Sequence, residues 1–172
     1  MAAFSISSDG KLAIAANETS SKSDFDYLIG RWKIKNRTLK EPLAGSDEWK
    51  EFEATQELRS VLLGLGNVDI FHTELDGKPF EGLTVRLFDP RTRLWTIYWA
   101  DSNAMKLDDG KVGSFDGDQG EFFGREVIAD RDVIVKFHWD KRDPEAPIYS
   151  RAFSVDEGRT WEWNWYSNFS RR

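Results

Sequence analysis

The sequence predicts an all-β domain, a closed antiparallel up-and-down barrel of about ten strands led in by a short N-terminal helix. Apolar residues alternate with a period of two from Gly30 to the end of the chain, the spacing of half-buried strands. Short connectors of turn chemistry, such as Asp76-Gly77-Lys78, Asp89-Pro90-Arg91-Thr92 and Asp156-Glu157-Gly158, separate these runs at the spacing of a meander. No long helical pattern intervenes, which disfavours parallel crossovers. Strands of this kind form a sandwich or a barrel. Sequential hairpins favour the barrel, and closure hides the edges of Trp-rich strands.

Residues 1–23 are small and polar, with Phe4/Ile6 and Leu12/Ile14 alternating around Asp9-Gly10. That is a hairpin signal, so the segment is either a loose tail or an arm that packs as a flap or on a neighbour. The barrel domain then covers 24–172. Asp24 can cap a helix that Gly30 ends, with Phe25, Leu28 and Ile29 on one face, and this helix would plug one end of the barrel. In the first strand Trp32, Ile34, Asn36 and Thr38 alternate with Lys33, Lys35 and Arg37. In the second, Phe52, Ala54, Gln56 and Leu58 alternate with Glu51, Glu53, Thr55 and Glu57. Antiparallel pairing sets these opposite charges side by side on a solvated face. Further strands are expected over 67–75, 80–89, 94–100, 112–115, 121–129, 133–140, 148–155 and 161–170.

Composition narrows the function. A chain of 172 residues suits one domain, and 8 Trp, 12 Phe and 4 Tyr can fill a small barrel. The net charge of −6 argues against nucleic acid as a partner. With no Cys, disulfides, thiolate metal sites and a Cys nucleophile are excluded. His72 and His138 are the two histidines, too few for a multi-histidine metal site. No apolar run approaches the roughly 20 residues that span a bilayer. Asp9, Gly10 and Lys11 interrupt any signal-peptide core, so a cytoplasmic location without a membrane partner is expected. No Gly-rich phosphate loop or nucleophile elbow is present, and no cofactor is expected.

Four stretches carry a resemblance: Phe25-Asp26-Tyr27-Leu28-Ile29-Gly30-Arg31-Trp32, Phe80-Glu81-Gly82-Leu83-Thr84-Val85-Arg86-Leu87, Leu94-Trp95-Thr96-Ile97-Tyr98-Trp99-Ala100-Asp101, and the segment from Phe153 to Trp165. Over about 24–172 the chain resembles a bacterial family of uncharacterised domains with a calycin-like, that is lipocalin-like, barrel. The resemblance implies a fold and no activity. Gly30-x-Trp32 also looks like the first-strand signature of lipocalins, which implies a Trp at the closed end of the barrel.

A barrel of eight to ten strands has room for side chains or for one small ligand. Polar residues among inward apolar positions are therefore the candidates for binding. Asn36 shares the face of Trp32 and Ile34. Arg86 shares a face with Thr84 and Phe88, opposite Leu83, Val85 and Leu87; it is either a buried cation in need of an anion or an outer Arg lying along the surface. Trp95, Ile97, Trp99 and Asp101 share a parity, with Asp101 a candidate partner for Arg86. Arg151 lies between Tyr149 and Phe153. Trp161, Trp163 and Trp165 share one face, which can line a pocket or seal the seam between last and first strands, and Glu162, Asn164 and Tyr166 take the other. The candidate ligand-binding set is Asn36, Arg86, Trp99, Asp101, Arg151, Asn164 and Trp165, for an apolar or anionic small molecule. One alternative is an enzyme that moves protons with Arg86 and either Asp101 or His138. Another is a homodimer built through the arm and outward Trp residues.

Overall fold

The computed structural model describes residues 4–172; the first three residues of the arm expected over 1–23 lie outside the described residues. Two short strands, β1 (Phe4–Ile6) and β2 (Leu12–Ile14), pair as a hairpin. Ten more follow: β3 (Gly30–Leu39), β4 (Trp49–Val61), β5 (Gly66–Leu75), β6 (Lys78–Asp89), β7 (Leu94–Asp101), β8 (Lys111–Asp116), β9 (Gln119–Ile128), β10 (Arg131–Asp140), β11 (Ile148–Ser154) and β12 (Glu162–Arg171). Each pairs antiparallel with its sequence neighbours, and β12 returns to β3 to close the barrel.

The period-two pattern selects the inner wall. Trp32, Ile34 and Asn36 are buried while Lys33, Lys35 and Arg37 are exposed. Across β3 and β4 the register sets Arg31 opposite Glu57, Lys35 opposite Glu53 and Arg37 opposite Glu51. These outer pairs specify alignment more than stability, because exposed ion pairs contribute about 0–1 kcal/mol. On β6 the inward face is Thr84, Arg86 and Phe88, and the aliphatic Leu83, Val85 and Leu87 face outward.

The helix expected over 24–29 is a correction: the segment makes a single 3-10 turn, Asp26–Leu28, and no α-helix occurs among the described residues. The Asp24 carboxylate turns back to accept the Ser21 amide at 2.8 Å instead of capping forward. Gly30, at φ +118°, then sends the chain directly into β3. The turn still plugs the barrel. Phe25 meets Trp95 and Phe115 edge-on at 5.1 Å each, and the Trp32 indole donates to the Leu28 carbonyl at 2.8 Å. Arg171, near the chain end, lies 3.9 Å over the Trp32 ring and donates to the carbonyls of Ile29 and Tyr27, each at 2.9 Å.

A second correction concerns β12. The register shifts between Arg151 and Ala152, so Arg151 pairs with Trp165 but Ala152 pairs with Trp163. This bulge leaves one extra residue on β12 and reverses its parity there. Trp165 therefore shares the inner wall with Arg151, Ser167 and Phe169, and Asn164 is fully buried beside Arg151. Trp161 and Trp163 lie outside: Trp161 packs on Phe4 and Phe123 with Lys136 4.3 Å over its ring, and Trp163 stacks on Tyr166.

The β1–β2 hairpin lies on the outer wall over β9 and β10. The Phe4 ring sits 4.7 Å from Phe123, and Arg125 donates to the Gly10 carbonyl at 2.9 Å. Residues 15–23 run along the wall, with Ser20 donating to the Arg93 carbonyl at 2.5 Å and the Trp95 indole donating to that of Ser21 at 3.1 Å. The arm and the outward Trp residues are thus in contact within one chain. No helix among the described residues is long and apolar enough to cross a membrane.

Two outcomes test this packing. A Cβ on Gly113 would lie 1.9 Å from the Glu121 carbonyl oxygen and 2.7 Å from the Phe122 Cα, both backbone atoms. Gly113→Ala should cost about 3 kcal/mol or more in urea unfolding, because the β8–β9 ladder must part. Gly117→Ala, at φ +59° with nothing within 4 Å, should cost only about 1 kcal/mol. The second concerns pH. Asp156 accepts from the Thr160 hydroxyl at 2.6 Å and amide at 2.9 Å and from the Ser154 hydroxyl at 2.8 Å, and these bonds hold its carboxyl at about 2, against 3.8 ordinarily. A lowered folded value means that the contribution is complete above the unfolded value and is lost as pH falls through about 2. An NMR titration of the Asp156 carboxyl should show that midpoint, and Thr160→Ala should raise it.

Candidate ligand-binding site

The two halves of the barrel interior differ. At the end plugged by the 3-10 turn, Trp32, Trp95, Phe25, Phe115 and Phe122 are all at most 1% exposed. At the other end the inward residues Phe52, Phe80, Trp99, Arg151 and Trp165 are only half-buried, while Val133, Val135 and Phe153 are buried with Leu43 packed on them; half-buried Phe137 and Tyr149 lie between the two ends. Inward side chains that keep contact with solvent mark a hollow opening at that end. Two outer grooves, of about 510 and 270 Å³, lie over β3–β5 among exposed charges such as Arg31, Arg59, Lys33 and His72, apart from this hollow.

Arg151 is the charged group on the hollow with the least compensation. Its guanidinium lies 4.7 Å over Phe153 and 5.2 Å over Trp165, and its Nε donates to Asn164 Oδ1 at 2.8 Å. Among the described residues no carboxylate lies within ion-pair distance of it. Burial lowers its pKa, with Tyr149 and Glu126 opposing the shift from a distance. Burial also pushes the Tyr149 hydroxyl upward, so it stays a neutral phenol beside that cation. The β12 bulge brings Trp165 and Asn164 together at Arg151.

Trp99 forms another wall of the hollow. Its ring stacks near Phe80 and meets Phe71 edge-on at 6.1 Å, and it lies on Gly82, where a Cβ would come within 2.1 Å of the indole. The indole nitrogen donates to Asp101 at 2.9 Å, and Asp101 also accepts the amides of Asn103 and Ala104. Asp101 therefore orients Trp99 and is not the partner of Arg86 that the sequence suggested. The partner of Arg86 is Asp69, at 2.5 Å, with Asn67 at 3.0 Å. Burial raises the Asp69 carboxyl above its usual range, and the Arg86 charge opposes that shift.

The proton-transfer set also comes apart. His138 lies on the outer wall, edge-on to Trp163 at 6.2 Å, and burial lowers its pKa. Neither it nor Asp101 reaches Arg86. Asn36 belongs to a directional chain. The Trp165 indole donates to Ser167 Oγ at 2.9 Å, and Ser167 donates to Asn36 Oδ1 at 2.7 Å. Of the expected residues, Arg151, Asn164, Trp165 and Asn36 form one connected wall, Trp99 with Asp101 forms another, and Arg86 lies deeper.

Sequence reasoning missed Asp69, Gln56 and Lys111. Lys111 is 1% exposed, its stem crosses Gly124, and its ammonium pairs with Glu126 and with Asp108 at 2.8 Å. The parity of Asp69 with Asn67 and Phe71 was available as a signal, but an Asp between Val68 and Ile70 reads equally well as the solvent face.

Removing Asp69 strands a buried guanidinium. Asp69→Ala should destabilise by about 3–5 kcal/mol, whereas the double variant Asp69→Leu/Arg86→Met should recover most of that loss in the same chemical unfolding measurement.

No family model and no curated protein sequence matches the chain. Solved structures do. The S-type phycobiliprotein lyase CPES from Guillardia theta is similar with a TM-score of 0.61 at 12% identity, over 90% of this chain and 94% of its own. Rv2717c from M. tuberculosis is similar with a TM-score of 0.54 at 15% identity, over 87% and 97%. Likeness at these identities is one of fold, and it fits the calycin-like barrel that the resemblance implied.

Proposed function

We propose that the protein binds a small, flat, amphipathic molecule in the open half of the barrel, with an acid group of that molecule on Arg151. One observation carries the reading: Arg151 faces the hollow between two aromatic rings, with a single hydrogen bond and no counter-ion. A desolvated guanidinium without a carboxylate is unfavourable in the empty protein and favourable once an anion arrives in forked geometry. Asn164 holds Nε, which leaves both terminal nitrogens to face a carboxylate. Trp165, Trp99, Phe52, Phe80 and Phe137 supply apolar walls for a conjugated body. Lys111 takes no part, because Asp108 and Glu126 already match its charge.

The likeness to a phycobiliprotein lyase makes a bilin the first molecule to try. Biliverdin is flat, conjugated and carries two propionates. Titrated into the protein, it should quench tryptophan fluorescence saturably through Trp99 and Trp165. Arg151→Met should weaken binding on the order of 10- to 100-fold, the range for losing a hydrogen bond to a charged group. Quenching that never saturates, or an unchanged affinity in Arg151→Met, would refute the reading.

A further inference from the structure

The inner wall holds polar groups that no described residue fully satisfies. Asn36, Gln56, Asp69 and Arg86 are 3%, 7%, 1% and 3% exposed. Each keeps one buried atom without a hydrogen-bond partner: Asn36 Nδ2, Gln56 Nε2, Asp69 Oδ1 and Arg86 Nε. Native interiors leave few such atoms, and here four fall on four adjacent strands, all facing inward. Asp69 lies two residues from Phe71, the partner of Gln56, and Arg86 lies two residues from Thr84, the partner of Asp69. Those are diagonal neighbours, about 7–8 Å apart at Cα and within reach of long side chains. Asn36 lies four residues nearer the mouth than Trp32, the other partner of Gln56.

The polarity of the set can be read. A Trp indole only donates, so Ser167 accepts from Trp165 and spends its own proton on Asn36 Oδ1. The amide of Asn36 is thereby oriented with Nδ2 as the unmet donor. Arg86 gives Nη1 to Asn67 and Asp69, which leaves Nε as a donor and the second oxygen of Asp69 as an acceptor. The deep wall thus offers two donors, Gln56 Nε2 and Arg86 Nε, and one acceptor, Asp69 Oδ1, and the two charges within it cancel; Asn36 Nδ2 is a further donor nearer the mouth.

We infer that Gln56, Asp69 and Arg86 form an inner subsite for the neutral end of the ligand, a carbonyl beside an N–H as in a lactam or cyclic imide, with Asn36 above it toward the mouth. The carbonyl takes Gln56 Nε2 and Arg86 Nε, and the N–H meets Asp69 Oδ1. A carboxylate is disfavoured there because it has no proton for Asp69, whose own charge repels it. This rests on the binding proposed above, and it adds the direction of entry: acid group at the mouth on Arg151, lactam-type edge toward the floor.

The test compares two flat acids, biliverdin, whose end rings are lactams, and 1-pyrenebutyrate, which has none. Arg151→Met should weaken both. Gln56→Met, near in shape but without the donor, should lower the preference for biliverdin over pyrenebutyrate by about tenfold, with a melting temperature no lower than that of the wild type. Gln56→Leu should lower the same ratio. An unchanged ratio in both folded variants overturns the inner subsite and makes the cluster a site for buried water only, while the mouth reading stands. Wild-type protein that binds pyrenebutyrate but not biliverdin does the same. Binding of neither acid overturns the mouth reading and the subsite with it.

Discussion

The structure depends on one closure. The last strand returns to the first, and Arg171 secures the joint by lying on the Trp32 ring while donating to two carbonyls of the lead-in turn. A cation over an indole contributes roughly 0.5–2 kcal/mol, and each hydrogen bond about 1 kcal/mol. Their larger effect is geometric. With the turn held against β12, Phe25 and Leu28 are seated inside the barrel and one end becomes solid. At the opposite end Leu43 packs over Val133, Val135 and Phe153, while Phe52, Phe80, Trp99, Arg151 and Trp165 keep contact with solvent. The asymmetry between floor and mouth, on which any binding role depends, follows from that joint.

Three cations face the interior, and the fold treats them differently. Lys111 is matched by two carboxylates, Arg86 by one, and Arg151 by an amide oxygen and two rings. A buried pair adds little net stability but is costly to break, so Lys111 and Arg86 hold their neighbours in register. Among the described residues Arg151 has no such partner. Arg151 lies over Trp165, whose indole leads through Ser167 to Asn36, and the Arg86–Asp69 pair lies deeper and apart from that chain.

Much of the barrel was legible before any coordinates. Alternation on β3 and β4 identified the inner residues, because one face there is charged throughout and the other is not. On β6 both faces carry large apolar residues, so periodicity left Arg86 undecided. What placed it inside was Asp69, seventeen residues away on the paired strand. The run Trp161, Trp163, Trp165 misled for a different reason. A bulge changes parity without leaving a mark in the pattern, so three Trp residues at even spacing are divided between the two walls. At Asp24 the residue was read as the cap of a helix, but its bond runs backward to Ser21 and the helix is not formed.

By itself the sequence determined the strand count, the meander order and the solvated face, because these follow from period-two alternation and turn chemistry, which are local. It also determined that Arg151 stands among aromatics. Only the tertiary structure decided which cations would be compensated, since each partner comes from another strand through register and one bulge. It alone showed that the floor is packed while the mouth is open, because that depends on where the lead-in turn docks and on the Arg171 contact that holds it there.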